Sequence, residues 1–306
     1  MKRMLVEGIK VVALDITGRY AEHFSDVCPP ETEEAIAQEI EQAIAANVAN
    51  RTVRNDEAGN LHDFQTAMRK TLGRFVAGDE RLLILNPNRF DVTRMEGRPF
   101  SGEANLLARL TMVDVTRVIA EQLLEFLQER ERDPRDENAV LCLVLEEAHS
   151  LVPEWTSAAN DTERQAVNGT ARAILQGRKY GYGCLLVTQR TANVTKSVLN
   201  QCNTIFGMRV YDATGMGFME NYIGSTYAPL LASLRDRQAV IFGRASSCNA
   251  PLIIDLNDAT EFHEGYWAPR ASFVPRTQPP AEAAVVGADP AAELAEADPD
   301  DDDIPF

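Results

Sequence analysis

The stretch Ala139-Val140-Leu141-Cys142-Leu143-Val144-Leu145-Glu146-Glu147-Ala148-His149 constrains the fold more than any other part of the chain. Seven apolar residues run without a break into two adjacent carboxylates. So short and so apolar a run reads as a strand buried on both faces, as the strands of a parallel sheet are. The acids come where the strand leaves the core. Open α/β sheets bind ligands outside the carboxyl ends of their strands. Glu146 and Glu147 therefore stand where a nucleotide-binding sheet would place its metal and water chemistry.

The flanking sequence repeats the theme. Residues 9–14 form a short apolar strand ending at Asp15, followed by the turn Ile16-Thr17-Gly18-Arg19-Tyr20. A helix over 31–48 carries Ile36, Ile40, Ile44 and Val48 on one stripe, and Pro29-Pro30 suits its start. A second helix over 61–76 aligns Phe64, Met68, Leu72 and Phe75. A strand at 81–85 ends at Asn86-Pro87-Asn88, and 97–105 reads as a loop. A long helix over 112–131 keeps Val115, Ile119, Leu123 and Leu127 in register until Asp133-Pro134 breaks it. After the acidic strand come a polar, turn-rich stretch at 154–168, a helix near 162–178, and the turn Gly181-Tyr182-Gly183. Further strands are expected at 184–188, 203–210, 238–243 and 251–255. Strands alternating with helices predict a layered α/β domain with a mostly parallel sheet.

Past Trp267 the composition changes to Pro, Ala and Glu without periodicity. Such a segment cannot bury enough apolar surface to offset the ordering of its chain, so residues 268–297 read as a disordered linker. Charge follows the same division. Residues 271–306 hold nine acids against Arg276 alone, a net of −8, so half of the chain's −16 belongs to this tail. The first 270 residues carry the other −8, a balance that permits a local basic surface but argues against general nucleic-acid affinity. Cys28, Cys142, Cys184, Cys202 and Cys248 lack metal-ligand spacing, and two of them lie in apolar runs. With no signal-like or membrane-spanning stretch, a reduced, cytoplasmic setting is expected.

Several separated blocks then match one known family in order. Leu143-Val144-Leu145-Glu146-Glu147-Ala148-His149 is followed by Gln176-Gly177-Arg178-Lys179-Tyr180-Gly181-Tyr182-Gly183, by Leu185-Leu186-Val187-Thr188-Gln189-Arg190 and by Val198-Leu199-Asn200-Gln201-Cys202-Asn203-Thr204. Over residues 10–255 the chain resembles the HerA/FtsK superfamily of hexameric DNA-pumping ATPases, its HerA branch most closely. Asp15-Ile16-Thr17-Gly18-Arg19-Tyr20 resembles the family's segment after the second core strand, with Arg19 where a glutamate is usual.

The resemblance implies a RecA-like P-loop NTPase core over 1–267. It places Glu146 in Walker B, holding the Mg²⁺ shell, and Glu147 as the residue that polarises the attacking water. Gln189 would sense the γ-phosphate. Arg178 would reach it across a subunit boundary, where a planar, permanently charged guanidinium suits developing phosphoryl charge. Arg190 joins the nucleotide-binding residues. DNA would thread the interior of a homohexameric ring. The 154–168 segment, with Arg164 and Arg172 near it, would contact the phosphate backbone irrespective of sequence. A nuclease is a possible partner, and repair, end processing or defence against foreign DNA the setting.

One required part is missing. The family's Gly-x-x-x-x-Gly-Lys-[Ser/Thr] loop cradles phosphates with backbone N–H groups and a lysine. The five lysines are Lys2, Lys10, Lys70, Lys179 and Lys196, and none follows a glycine. The first core strand and its loop are therefore expected to precede the strand at 9–14, outside this sequence. A truncated gene or wrong start codon, a split ATPase completed by another polypeptide, and a degenerate subunit are the three explanations. ATP and Mg²⁺ are expected as cofactors only if the loop is supplied from outside. A non-catalytic adaptor that keeps the ATPase fold is the alternative function, and a conjugative DNA-pumping ATPase a third.

The final residues carry a second resemblance. Asp300-Asp301-Asp302-Asp303-Ile304-Pro305-Phe306 resembles the acidic tip of bacterial single-stranded DNA-binding protein (SSB). In that tip a terminal Phe, its carboxylate and the preceding Pro fill an apolar pocket on partner enzymes. Residues 298–306 are accordingly expected to dock SSB-binding proteins: Ile304, Pro305 and Phe306 as the anchor, Asp301, Asp302 and Asp303 against a basic rim.

Overall fold

The computed structural model describes residues 1–25, 27–28, 30–49, 60–96, 106–130, 139–158, 160–246 and 248–256. The chain divides into Met1–Leu256 and Asn257–Phe306. The second unit, with the linker and docking tip expected there, lies outside the described residues, as do the 97–105 loop and the Asp133-Pro134 break.

The chain opens with helix α1 (Lys2–Val6), strand β1 (Lys10–Leu14), α2 (Arg19–His23), α3 (Pro30–Ala49) and α4 (Leu61–Ala77). Strand β2 (Leu82–Leu85) precedes the antiparallel pair β3 (Thr93–Glu96) and β4 (Leu106–Arg109). Then come α5 (Met112–Glu129), β5 (Leu141–Leu145), α6 (Ala148–Leu151), α7 (Asp161–Gly177) and β6 (Tyr182–Leu186). The described part closes with α8 (Lys196–Leu199), β7 (Thr204–Gly207), α9 (Ala213–Ile223), β8 (Gln238–Gly243) and β9 (Leu252–Asp255).

Four strands form a wholly parallel sheet in the order β2-β1-β5-β6. The mixed α/β class with a parallel sheet is thus as the sequence predicts. Side chains along a strand alternate between faces, and here both faces are covered. Val12, Leu14, Leu83, Leu85, Leu141, Leu143 and Leu145 pack with the apolar stripes of α3, α4 and α5, among them Ile40, Phe64, Met68, Leu72, Ile119 and Leu123. Val11, Ala13, Leu82, Ile84, Cys142 and Val144 face the other way, onto Leu5, Phe24 and Cys28. β5 is central and buried throughout, which accounts for its unbroken apolar run. Each leucine so enclosed contributes roughly 1.5–3 kcal/mol.

Local signals fix the element ends. Thr111 and Asp114 close a reciprocal capping box that starts α5. Asn160 accepts from the Glu163 N–H at 2.8 Å and starts α7. Lys10 leaves β1 to donate to the carbonyls of Phe75, Gly78 and Glu80 at 2.8, 2.7 and 2.7 Å, tying down the end of α4. A cation is favoured at a helix C-terminus, and desolvation lowers this ammonium's pKa.

Three sequence expectations are revised. α7 begins at Asp161, so only the first part of the polar 154–168 stretch lies outside the helix. β6 starts two residues earlier than expected, because Gly181 alone makes the turn (φ 78°) while Tyr182 and Gly183 belong to the strand. The strands from 204 onward do not join the parallel sheet; they form an antiparallel sheet in the order β7-β8-β9. Its helical cover comes from α9, through Met219 and Ile223, with Leu231 and Leu234 beside them.

Among the described residues β6 pairs only with β5. Its backbone groups at Tyr182, Cys184 and Leu186 point away from β5 and meet no strand among the described residues. Among those residues, too, no helix is long and apolar enough to cross a membrane.

Candidate functional site

Because β1, β5 and β6 are parallel, their carboxyl ends open on one edge of the sheet. Asp15 follows β1, Glu146 and Glu147 follow β5, and Thr188, Gln189 and Arg190 follow β6. Glu146, Glu147, Gln189 and Arg190 are thereby gathered from two neighbouring strands. Arg178 is not. It lies in a 3₁₀ turn before β6, at the opposite end of that strand. A five-residue strand spans about 16 Å. Within one chain Arg178 is thus separated from Glu147.

Asp15 is 2% exposed and already saturated. Its carboxylate accepts from the Thr17 N–H and hydroxyl at 3.0 and 2.9 Å, from Gly18 N at 2.9 Å and from Tyr20 N at 2.7 Å. This local wrapping turns the chain and brings Tyr20 beside Glu146. Burial first, and then the Glu146 carboxylate hydrogen-bonded to it, hold the Tyr20 phenol well above its ordinary range. Glu146 is itself buried, and its Oε2 accepts no hydrogen bond.

Glu147 has an unusual backbone. Its φ of 50° and ψ of 52° are left-handed, a conformation that costs a non-glycine residue of the order of 1 kcal/mol or more. The turn ends β5 abruptly and starts α6. Gln189 Nε2 donates to Glu147 Oε1 at 3.3 Å. On the other oxygen, Oε2, the His149 Nδ1 approaches to 3.3 Å without closing a hydrogen bond. The same Nδ1 lies 3.2 Å from Thr188 Oγ1, and Thr188 Oγ1 also accepts from Arg190 N at 3.0 Å. Asp15, Tyr20, His149 and Thr188 were not among the residues given roles from sequence. All four lie inside the matching blocks; Asp15 is bound within its own segment, while Tyr20, His149 and Thr188 find partners in other segments.

The arrangement can hold charge and orient water. The buried Oε2 of Glu146, which accepts no hydrogen bond, suits a cation. No cluster of three or more His, Cys, Asp or Glu side chains able to hold a metal occurs among the described residues. A single offered carboxylate fits Mg²⁺, which keeps several waters and takes phosphate oxygens as its other ligands.

Arg164, expected near DNA, is engaged locally. It donates to Asp161 at 2.9 Å and its guanidinium lies 4.6 Å from the centre of the Trp155 ring. Arg172 lies on α7 and is exposed.

No family model matches the chain. Two proteins of Methanocaldococcus jannaschii are similar in sequence. One, named as a probable DNA double-strand break repair helicase HerA, is 29% identical over 119 residues, covering 38% of this chain and 22% of its own length. The other, probable helicase MJECL08, is 24% identical over 219 residues, 67% of this chain and 38% of its own. The chain thus spans well under half the length of these curated relatives. Among solved structures, the genome packaging NTPase B204 of Sulfolobus turreted icosahedral virus 2 in complex with sulfate superposes with a TM-score of 0.47 at 10% identity, over 84% of this chain and 85% of that one. VirB4 of Thermoanaerobacter pseudethanolicus gives 0.43 at 13% identity, over 85% and 84%.

Proposed function

We propose that this chain is the Walker B half of a HerA-like DNA-translocating ATPase. The observation that carries the reading is the pairing of Glu147, at the end of β5, with Gln189, at the end of the adjacent β6. In this reading Glu147 orients the attacking water and Gln189 reports the γ-phosphate. Glu146 is the residue to hold Mg²⁺, which when bound supplies charge neutralisation for the phosphates. Arg190 faces the nucleotide. Arg178 belongs to the site of a neighbouring subunit, since its own chain places it at the far end of the sheet. A homohexameric ring around DNA then follows, with residues 1–267 as core, 268–297 as tether and 298–306 as an SSB-like docking tip. Asp301, Asp302, Asp303, Ile304, Pro305 and Phe306 make the tip, and repair, end processing or defence is the setting, with a nuclease as possible partner. The similarity to two proteins named as helicases supports the reading.

The phosphate cradle has to come from outside these residues. The 306-residue chain alone is expected to bind ATP poorly and not to turn it over. Completed with a Gly-x-x-x-x-Gly-Lys-[Ser/Thr] segment, encoded in frame upstream of Met1 or by a partner polypeptide, it should hydrolyse ATP faster with DNA present. Glu147→Gln should abolish that turnover, and an active Glu147→Gln protein would sink the assignment.

The absence of a lysine after any glycine favours one other reading, an adaptor that keeps the fold without nucleotide chemistry. Such a protein would stay silent towards ATP even when completed, yet still bind SSB-docking enzymes through Phe306.

A further inference from the structure

We propose that His149 is a positioning residue for Glu147, and that it acts as the Nδ1–H tautomer. This deepens the ATPase reading of the same site and rests on it for its consequence, though not for its geometry.

Two oxygens converge on one imidazole nitrogen. Glu147 Oε2 lies 3.3 Å from Nδ1 and Thr188 Oγ1 lies 3.2 Å from it. A carboxylate oxygen can only accept, whereas a threonine hydroxyl can donate or accept. Were Nδ1 bare, its lone pair would face Oε2, and a buried carboxylate oxygen would confront a second acceptor. With a proton on Nδ1, that one N–H can be shared between Oε2, which otherwise lacks a hydrogen bond, and Thr188 Oγ1. The unpaired oxygen therefore selects the tautomer, as the partner of one ring nitrogen generally does.

The consequence is a two-handed grip. Gln189 takes Glu147 Oε1 directly. Thr188, the residue before it, accepts from the same His149 N–H that faces Oε2. Both contacts originate at the end of β6. A shift of that strand end, such as contact of Gln189 with a phosphate, therefore changes the support of both oxygens together. The left-handed backbone of Glu147 makes this possible, because it turns His149 back towards the carboxylate two residues earlier.

The test uses the ¹⁵N-labelled 306-residue chain without nucleotide. Long-range ¹H–¹⁵N correlations at a pH of about 8, above the ordinary imidazole range, report the tautomer of each histidine. With only four histidines, His149→Gln assigns the signal by its loss. The expected result is an Nδ1–H pattern for His149 that persists in Thr188→Val, where Oε2 still accepts, and shifts to Nε2–H in Glu147→Ala, where the Thr188 hydroxyl is free to donate to Nδ1. The Thr188→Val variant, close in shape to the original, keeps the test open if Glu147→Ala fails to fold. An Nε2–H pattern in the unsubstituted chain or in Thr188→Val, or an Nδ1–H pattern unmoved by Glu147→Ala, overturns the proposal. The outcome is separable from the ATPase reading. Nδ1–H with no turnover in the completed protein sinks only that reading, and Nε2–H with Glu147-dependent turnover sinks only the role of His149.

Discussion

Gln189 and Glu147 lie 42 positions apart and meet through one hydrogen bond, Nε2 to Oε1, at 3.3 Å. The register that makes this possible is set in the core, where Leu145 pairs with Leu186. Each strand then leaves the sheet at the same level. A polar side chain placed just past each end finds the other.

Gln189→Ala removes this donor and leaves the buried strand intact. In the ATP-hydrolysing form, turnover should fall by about 100-fold, the usual effect of losing one oriented donor at a developing charge. Thermal melting of the 306-residue chain should not change. Steady-state kinetics beside a melt separates the two, and a parallel loss of stability would make Gln189 a structural residue.

Glu147→Gly tests the strained turn. Glycine occupies the left-handed region without the Cβ clash that a glutamate meets there. The substitution should raise stability by about 1 kcal/mol, a shift of about 2–4 °C for a domain of this size. Denaturant titration measures it. A loss of similar size would mean that the contacts to Gln189 and His149 outweigh the backbone strain.

Gly177→Ala should be costly. An added Cβ at the end of α7 would sit 2.4 Å from Tyr182 Cδ1. Tyr182 is buried, and its hydroxyl donates to the Ala120 carbonyl at 3.4 Å. The ring has nowhere to retreat, so a loss of about 1–3 kcal/mol is expected, read as a lower denaturation midpoint.

The Cys142 thiol sets an alkaline limit. Burial in β5 pushes it up to about 12 from an ordinary value of 9.0. Above pH 9 the unfolded chain gives up this proton while the folded chain keeps it, so unfolding is favoured as pH rises. The contribution is whole below 9 and is lost between about 9 and 12. Stability measured by denaturant across that window should fall, and Cys142→Ala should flatten part of the decline.

Much of this was written plainly in the sequence, and the reasons differ by element. β5 announced itself because a strand buried on both faces needs no polar residue, and the acids marked its exit. α4 and α5 were legible through stripes such as Phe64, Met68 and Leu72, each fully buried. β6 was displaced because Gly181 and Gly183 look alike in sequence, yet only Gly181 needs a positive φ. The β3–β4 pair escaped because two four-residue strands leave too short a period to read. The acidic pair was visible as chemistry, but His149 and Thr188 were not. Residues two apart do not face each other on a helix; only the left-handed turn at Glu147 brings His149 back, and nothing local in the sequence announces it.

Among the described residues the parallel sheet stops at β6, and that stopping point is a seam left unstitched. Within those residues the backbone groups of Tyr182, Cys184 and Leu186 offer a ladder with no second rail. Unpaired backbone groups along a strand edge can take up another extended chain. A strand laid there in parallel would deliver its trailing loop beside Gln189 and Glu147, whereas one added at β2 would lie beyond β2, with β2 and β1 between it and the acids. Such a border would be the address through which another stretch of polypeptide could reach these carboxylates.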